Sequence, residues 1–283
     1  KVGVNDNFFE SGGTSLLAAK VMVHVKKNHL ALDYADIFEN PTPSLLAKNL
    51  QNRRRKDFDA EMGNRDYTRI DALLSKNIRT GKPPERLGEV LLTGATGYLG
   101  CHVLDELMQD PTVGTIYCLV RSGKKISAER RLKAKLFYYF DGKHTDSFSG
   151  KIRIIEGDIT DRNCLEAIGV PIDTVINSAA NVAHFVYGDS LREVNVDGVA
   201  NLVSFCRKKN SRLIQISTIS IGGFSAEEGK VLAEQSLYLG QTIHNQYVYS
   251  KYEAECLVLE AAAGRRPARQ RQHLPLHRRP AGR

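Results

Sequence analysis

Between residues 89 and 262, short apolar segments alternate with longer amphipathic ones. Residues 90–93, 115–120, 152–155, 174–177 and 213–217 are brief runs rich in Val, Ile, Leu and Thr, and the pattern predicts a strand over each. Residues 99–108, 128–140, 189–208 and 246–262 carry apolar side chains at helical spacing and predict helices. Alternation of short strands with longer amphipathic helices is the signature of a parallel sheet covered on both faces. Right-handed crossovers then wind it into a doubly wound, Rossmann-type α/β fold. Residues 141–150, polar and bounded by glycine, read as a surface loop.

The pattern is different before residue 89. Residues 1–52 read as a small helical unit, with a loop ending in Gly12-Gly13-Thr14-Ser15, a helix over 16–27, and a second helix opened by Pro41-Thr42-Pro43-Ser44. Residues 53–88 are dense in charge, end in Gly81-Lys82-Pro83-Pro84 and carry one amphipathic stretch over 70–74. They are expected to form a linker that partly docks.

Composition narrows the function classes. The chain has 283 residues, 42% hydrophobic and 25% charged, which is ordinary for a globular protein. No apolar run approaches the ~18 residues of a membrane span, and the N-terminus has no signal-peptide pattern, so a cytoplasmic protein without membrane contact is expected. The net charge of +8 suggests nucleic acid only until it is located. Seven arginines between Gly264 and Arg283, with no acid among them, account for all but one of those charges. The body is therefore not a polyanion binder. That segment, 264–283, has no periodicity and follows abruptly on a helix, so it is read as a basic irregular tail of the kind a shifted reading frame produces. Five scattered cysteines, none in a Cys-x-x-Cys pair, indicate buried thiols rather than disulfides or a metal site.

Three groups of residues carry chemistry. Thr93-Gly94-Ala95-Thr96-Gly97-Tyr98-Leu99-Gly100 lies where the first strand turns into the first helix, the context of a phosphate-binding glycine turn. Gly94 permits the turn, Gly97 lets backbone approach a pyrophosphate, and Gly100 lets the helix pack close to the strand. An NAD site carries an acid at the end of the second strand; here Arg121 stands there, followed by Lys124, Lys125, Arg130 and Arg131, which favours the 2′-phosphate of NADPH. Tyr247 and Lys251 are four residues apart on one helical face, where an ammonium can lower a phenol's pKa. With eleven tyrosines such spacing recurs by chance, as at Tyr139 and Lys143, but only Tyr247 follows the fifth strand. Ser217 and Thr218 end that strand, on the side of an open α/β sheet where ligands bind.

On these motifs, residues 89–263 resemble an extended short-chain dehydrogenase/reductase, in particular the thioester reductase domains of nonribosomal peptide synthetases and carboxylic acid reductases. The resemblance covers the N-terminal, nucleotide-binding part of such a domain. It implies Thr218 as the catalytic hydroxyl, Tyr247 as general acid and Lys251 as the lysine that also holds the cofactor ribose. It further implies that Asp158 and Ile159 frame the adenine, that Asn177, Ala179 and Ala180 cross above the cofactor, and that Asn195 is the family's helical asparagine. Phe8-Phe9-Glu10-Ser11-Gly12-Gly13-Thr14-Ser15-Leu16 resembles the attachment site of a carrier domain, with 4′-phosphopantetheine on Ser15; an isolated serine at a helix start would otherwise read as an N-cap.

Together these imply NADPH-dependent release of a carrier-bound acyl or peptidyl thioester as an aldehyde, and on to an alcohol if a second hydride follows. A phosphopantetheinyl transferase and upstream assembly-line domains are the implied partners. Two other readings stay open. One is a carrier and docking module that lacks the carrier's first helix and the reductase's substrate-binding subdomain. The other is a release domain that cyclises without redox chemistry.

Overall fold

The computed structural model describes residues 3–28, 30, 32, 34–75, 86–141, 150–182, 189–224, 236–243 and 245–264. Residues 265–283 of the basic tail, Gly81-Lys82-Pro83-Pro84 and Lys143 lie outside the described residues.

The N-terminal unit is built around an aromatic cluster. Phe9 lies 4.9 Å from Phe38 between ring centroids, and Tyr34 lies 5.1 Å from Phe38. Helix α1 (Ser15–Lys27) is opened by Thr14, whose Oγ1 accepts the Leu17 N–H at 3.3 Å. After α2 (Tyr34–Glu39) comes α3 (Pro43–Asn64), capped by Thr42 and carrying proline in its first turn as its sequence predicts.

Helix α3 runs unbroken past residue 52, well into the stretch read as linker. Its C-terminal turns and α4 (Thr68–Leu74) bury Met62 and Ile70 in a cluster with Ile221, Leu237, Ile243, Val248, Tyr249, Tyr252 and Cys256. Phe58 stacks on Tyr249 at 4.1 Å, the Tyr249 hydroxyl donates to Glu61 Oε2, and the Tyr67 and Tyr252 hydroxyls share a 2.5 Å hydrogen bond. Tertiary packing therefore sustains helix through a stretch that composition alone marks as connector.

The sheet contains β1 (Gly88–Thr93), β2 (Val113–Val120), β3 (Ile152–Glu156), β4 (Thr174–Asn177) and β5 (Arg212–Gln215). All pairings are parallel, in the order β3-β2-β1-β4-β5. The central strands are buried on both faces, which is why they read as unbroken apolar runs. On one face α5 (Tyr98–Gln109) and α6 (Ala128–Phe140) close a core around Leu92, Leu104, Ile116 and Leu132. On the other, α7 (Arg162–Glu166) and α9 (Gly198–Lys209) pack on Leu91, Val175 and Leu202. Helix α10 (Gln246–Ala263) lies against α9 through Val199, Val203 and Ala254, and against α4 on its other side. Of the five free cysteines four are buried and Cys164 is half-buried. No helix among the described residues is long and apolar enough to cross a membrane.

Two predicted elements differ in detail. The helix expected over 189–208 is α8 (Asp189–Arg192), a π-helical turn (Glu193–Asp197) and then α9, the widened turn directing Asn195 inward. The last strand stops at Gln215 rather than residue 217, because its one neighbour β4 ends opposite, at Asn177. Ser217 and Thr218 therefore stand just beyond the sheet.

Docking of the connector has a measurable consequence. Ile70→Ala, at a fully buried position, is expected to lower unfolding free energy by about 2–4 kcal/mol in chemical denaturation. A loss below about 1 kcal/mol would mean that α4 is not part of the core.

Candidate active site

The crossing of β1 into α5 is the tightest backbone approach in the sheet. Gly94 has φ +72°, and a Cβ there would lie 2.5 Å from the Ala179 nitrogen. A Cβ on Gly100 would lie 2.1 Å from the Gly94 carbonyl oxygen, so α5 can meet the loop only if that position has no side chain. The N-terminus of α5, with Gly97 as its cap, thus points its unpaired N–H groups out of the turn. Tyr98 and Leu99 are exposed, and their side chains lie outside the cleft that the turn opens onto.

That cleft has a volume of about 210 Å³ and sits at the C-terminal ends of β1, β2, β3 and β4. It gathers Thr93, Gly94, Thr96, Gly97, Arg121, Arg131, Asp158, Ile159, Ala179 and Ala180 from the residues singled out in the sequence. Leu119, Val120, Gly157, Ser178 and Val194 also line it. The first three could have been read from their places at strand ends, whereas Val194 reaches the cleft only through the π-helical turn, which left no sequence signal. At the rim, Arg121 Nη1 is 3.3 Å from Asp158 Oδ2, and Arg131 Nη1 donates to the Arg121 carbonyl. Lys124, Lys125 and Arg130 are not among the lining residues. A turn that excludes a Cβ at Gly94 and Gly100, backed by a helix N-terminus and rimmed by two guanidinium groups, fits a phosphate-bearing dinucleotide.

A row of hydrogen bonds runs from this cleft across the strand ends. Thr93 Oγ1 donates to Asn177 Oδ1, Asn177 Nδ2 donates to Gln215 Oε1 at 2.8 Å, and Gln215 Nε2 donates to the Ile216 carbonyl at 3.0 Å. The same carbonyl accepts from Lys251 Nζ at 2.6 Å. Asn177 is therefore buried in this row instead of lining the cleft. Asn195 is also buried, with Nδ2 donating to the Asn181 carbonyl and to Ser250 Oγ, both at 2.9 Å, while its Oδ1 accepts the Asn181 N–H. It ties the segment after β4 to α10.

Thr218, Tyr247 and Lys251 lie apart from the cleft, on the β5 exit and the start of α10. Thr218 Oγ1 accepts the Ser220 N–H at 3.3 Å, leaving its own O–H to donate. Lys251 is only 4% exposed; burial pulls its ammonium below the ordinary lysine range, and Glu255 offsets part of that pull. Burial pushes the Tyr247 phenol above its ordinary value. This departs from the sequence expectation, in which Lys251 lowers the phenol's pKa: the ammonium is spent on the Ile216 carbonyl instead. Tyr247 is thus held as a phenol at neutral pH.

In the N-terminal unit Ser15 is exposed on the first turn of α1, where Thr14 is the cap. The capping role that would explain a serine at this point belongs to its neighbour. A Cβ on Gly13 would collide with the Phe8 carbonyl oxygen at 2.3 Å, so the loop before Ser15 closes only on glycine.

Two family models match the chain. Residues 92–269 match an NAD-binding family model described as Male sterility protein, and residues 1–50 match a model described as Phosphopantetheine attachment site. A linear gramicidin synthase of Brevibacillus parabrevis is 30% identical over 91% of this chain and 5% of its own length. The L-2-aminoadipate reductase large subunit of Eremothecium gossypii is 29% identical over 71% of this chain and 16% of its own. A solved thiolation-reductase di-domain from an archaeal non-ribosomal peptide synthetase has a TM-score of 0.68 and 43% identity, covering 93% of this chain and 57% of that one. The chain thus spans a small part of the curated relatives and just over half of the solved di-domain.

The buried lysine yields a signed prediction. A lysine whose folded-state pKa is lowered releases its proton more readily when folded, so it reduces stability below that pKa. The penalty fades as pH rises through the depressed value toward the unfolded one near 10.4. Lys251→Met is therefore expected to match or exceed the parent's denaturation midpoint near neutral pH, and to gain less than the parent on raising pH toward about 10. A lower midpoint than the parent would show that the bond to the Ile216 carbonyl outweighs the cost of burial.

Proposed function

As the chain belongs to the NAD-binding family described as Male sterility protein, behind a phosphopantetheine attachment domain, we propose that it releases a carrier-bound acyl or peptidyl thioester by reduction to an aldehyde, using NADPH. The observation that carries this reading is the ordering along the strand ends. A glycine cradle rimmed by Arg121 and Arg131 is linked through Asn177 and Gln215 to the helix that holds Tyr247 and Lys251.

In this reading Ser15, exposed beside its capping neighbour, carries 4′-phosphopantetheine installed by a phosphopantetheinyl transferase. Upstream assembly-line domains supply the acyl chain, as the names of the synthase and synthetase relatives suggest. The bound dinucleotide supplies hydride to the thioester carbonyl carbon. The Thr218 hydroxyl, free to donate, and the Tyr247 phenol hydrogen-bond to the carbonyl oxygen and stabilise the charge it gains. Tyr247, a phenol whose pKa burial moves upward, then gives that oxygen its proton. Collapse of the resulting hemithioacetal breaks the C–S bond, leaving aldehyde and the free thiol of the arm. Lys251 holds the β5 exit through the Ile216 carbonyl, and contact with the cofactor ribose is assigned to the two N–H groups that this bond does not use. Thr93, Gly94, Thr96, Gly97 and Gly100, with the backbone of Tyr98 and Leu99, hold the pyrophosphate, while Asp158, Ile159, Ala179 and Ala180 enclose the remainder. Asn177 and Asn195 position these walls.

The preference for NADPH rests on Arg121, which stands where an acid would take the ribose hydroxyls of NADH. Its exposed guanidinium, held lightly by Asp158, is placed to pair with a 2′-phosphate.

Two experiments test these assignments. An acyl-pantetheine thioester and NADPH, supplied to the purified chain, are expected to give trapped aldehyde with matching cofactor oxidation. Tyr247→Phe should lower kcat by about 100-fold or more. NADPH binding without turnover would favour a carrier and docking role. In the second, Arg121→Ala is expected to weaken NADPH binding by about ten-fold or more in fluorescence titration and leave NADH binding within about two-fold. Equal loss for both cofactors would remove the 2′-phosphate assignment.

A further inference from the structure

One face of α10 grips the end of β5 at two points. Lys251 Nζ donates to the Ile216 carbonyl at 2.6 Å, and one helical turn later Glu255 Oε2 accepts from Ser217 Oγ, also at 2.6 Å. Lys251 and Glu255 are neighbours on the helix surface because they are four residues apart. Ile216 and Ser217 are neighbours in the chain, so the two bonds close a clamp immediately before Thr218. Tyr247 sits on the same helix, one turn before Lys251. After Thr218 the chain turns at once into a short 3₁₀ helix (Ile219–Gly222) whose first residue is 86% exposed.

Ile216 is held by Lys251 and Gln215 at its carbonyl and by the Asn177 carbonyl at its N–H, but all three holds lie two residues before Thr218. The bond to Glu255 carries the hold one residue closer to the Thr218 hydroxyl. Ser217 is exposed and does not line the dinucleotide cleft, so neither core packing nor the cleft accounts for the contact. The acceptor is a carboxylate, which makes the bond one of the stronger kind.

We propose that Glu255 is a positioning residue of this active site, holding Ser217 so that the Thr218 hydroxyl keeps a fixed place relative to Tyr247 on the same helix. Its catalytic consequence rests on the reductase reading; the clamp itself does not. Glu255 also offsets part of the effect of burial on Lys251, the first point of the clamp.

The test uses the full chain with Ser217→Ala, Glu255→Ala, Glu255→Gln and the double variant Ser217→Ala/Glu255→Ala. Its readouts are kcat, the two KM values and amide hydrogen exchange at residues 216–222. Ser217→Ala and Glu255→Ala are each expected to lower kcat about ten-fold while KM for NADPH stays within about two-fold. Glu255→Gln, which keeps an oxygen acceptor for Ser217, should recover most of the loss, and the double variant should be no worse than the poorer single one. Exchange should quicken at 216–222 in both alanine variants and stay unchanged elsewhere. Single variants with parental kcat, losses that multiply in the double variant, or a Glu255→Gln variant as impaired as Glu255→Ala would each overturn the clamp. A parent chain that turns over no thioester would defeat the reductase reading alone. Exchange at 216–222 then decides the clamp, faster exchange sustaining it and unchanged exchange overturning it. Ser217→Ala, at an exposed position, provides the measurement if Glu255→Ala does not fold.

Discussion

Thr93, Asn177 and Gln215 end three neighbouring parallel strands at the same level, and their side chains join in one hydrogen-bonded row. Parallel pairing brings the strand ends level; the row determines how they are held there. Asn177 is wholly buried, so each of its polar atoms needs a protein partner, and the two neighbouring strands supply them. Through the Ile216 carbonyl the row continues to Lys251, and so joins the glycine cradle at β1 to the helix α10. Losing Thr93 or Gln215 would leave a polar atom of the buried Asn177 without the partner it has in the row.

Helix α10 is held on several sides, which explains how it can carry a buried lysine. Asn195 reaches it from the π-helical turn through Ser250, and Arg192 pairs with Glu253 at 3.0 Å. From the opposite direction the end of α3 and α4 lay Phe58, Met62, Tyr67 and Ile70 against Tyr249 and Tyr252. The segment leading from the N-terminal unit is thus part of the scaffold under Tyr247 and Lys251. The cost of placing Lys251 away from water is met by this packing and by the carbonyl it bonds.

Charge is distributed in keeping with this arrangement. Most of the net positive charge lies in the last twenty residues, and among the described residues that line the cleft Arg121 and Arg131 are the cationic side chains. Asp158 holds Arg121 at the rim with a single 3.3 Å contact, weak enough to be exchanged for a ligand phosphate.

The alternation of apolar runs and amphipathic stretches determined the sheet, its parallel pairing and the helices on both faces, because burial on two sides leaves a period that local sequence carries. The glycine turn was legible for a similar reason: a left-handed φ at Gly94, and a position at Gly100 where a Cβ would lie 2.1 Å from the Gly94 carbonyl oxygen, admit one residue type. Thr218, Tyr247 and Lys251 could be named from order along the chain and from resemblance, but their state could not. Whether Lys251 faces Tyr247 or a carbonyl, and which way burial moves each pKa, depends on groups distant in sequence, such as Ile216. The continuation of α3 through charged sequence, the π-helical turn at Asn195 and the grip of Glu255 on Ser217 were likewise decided by tertiary structure. Each arises from a contact between segments distant in the chain, and no local pattern of polar and apolar residues encodes which distant segment will arrive.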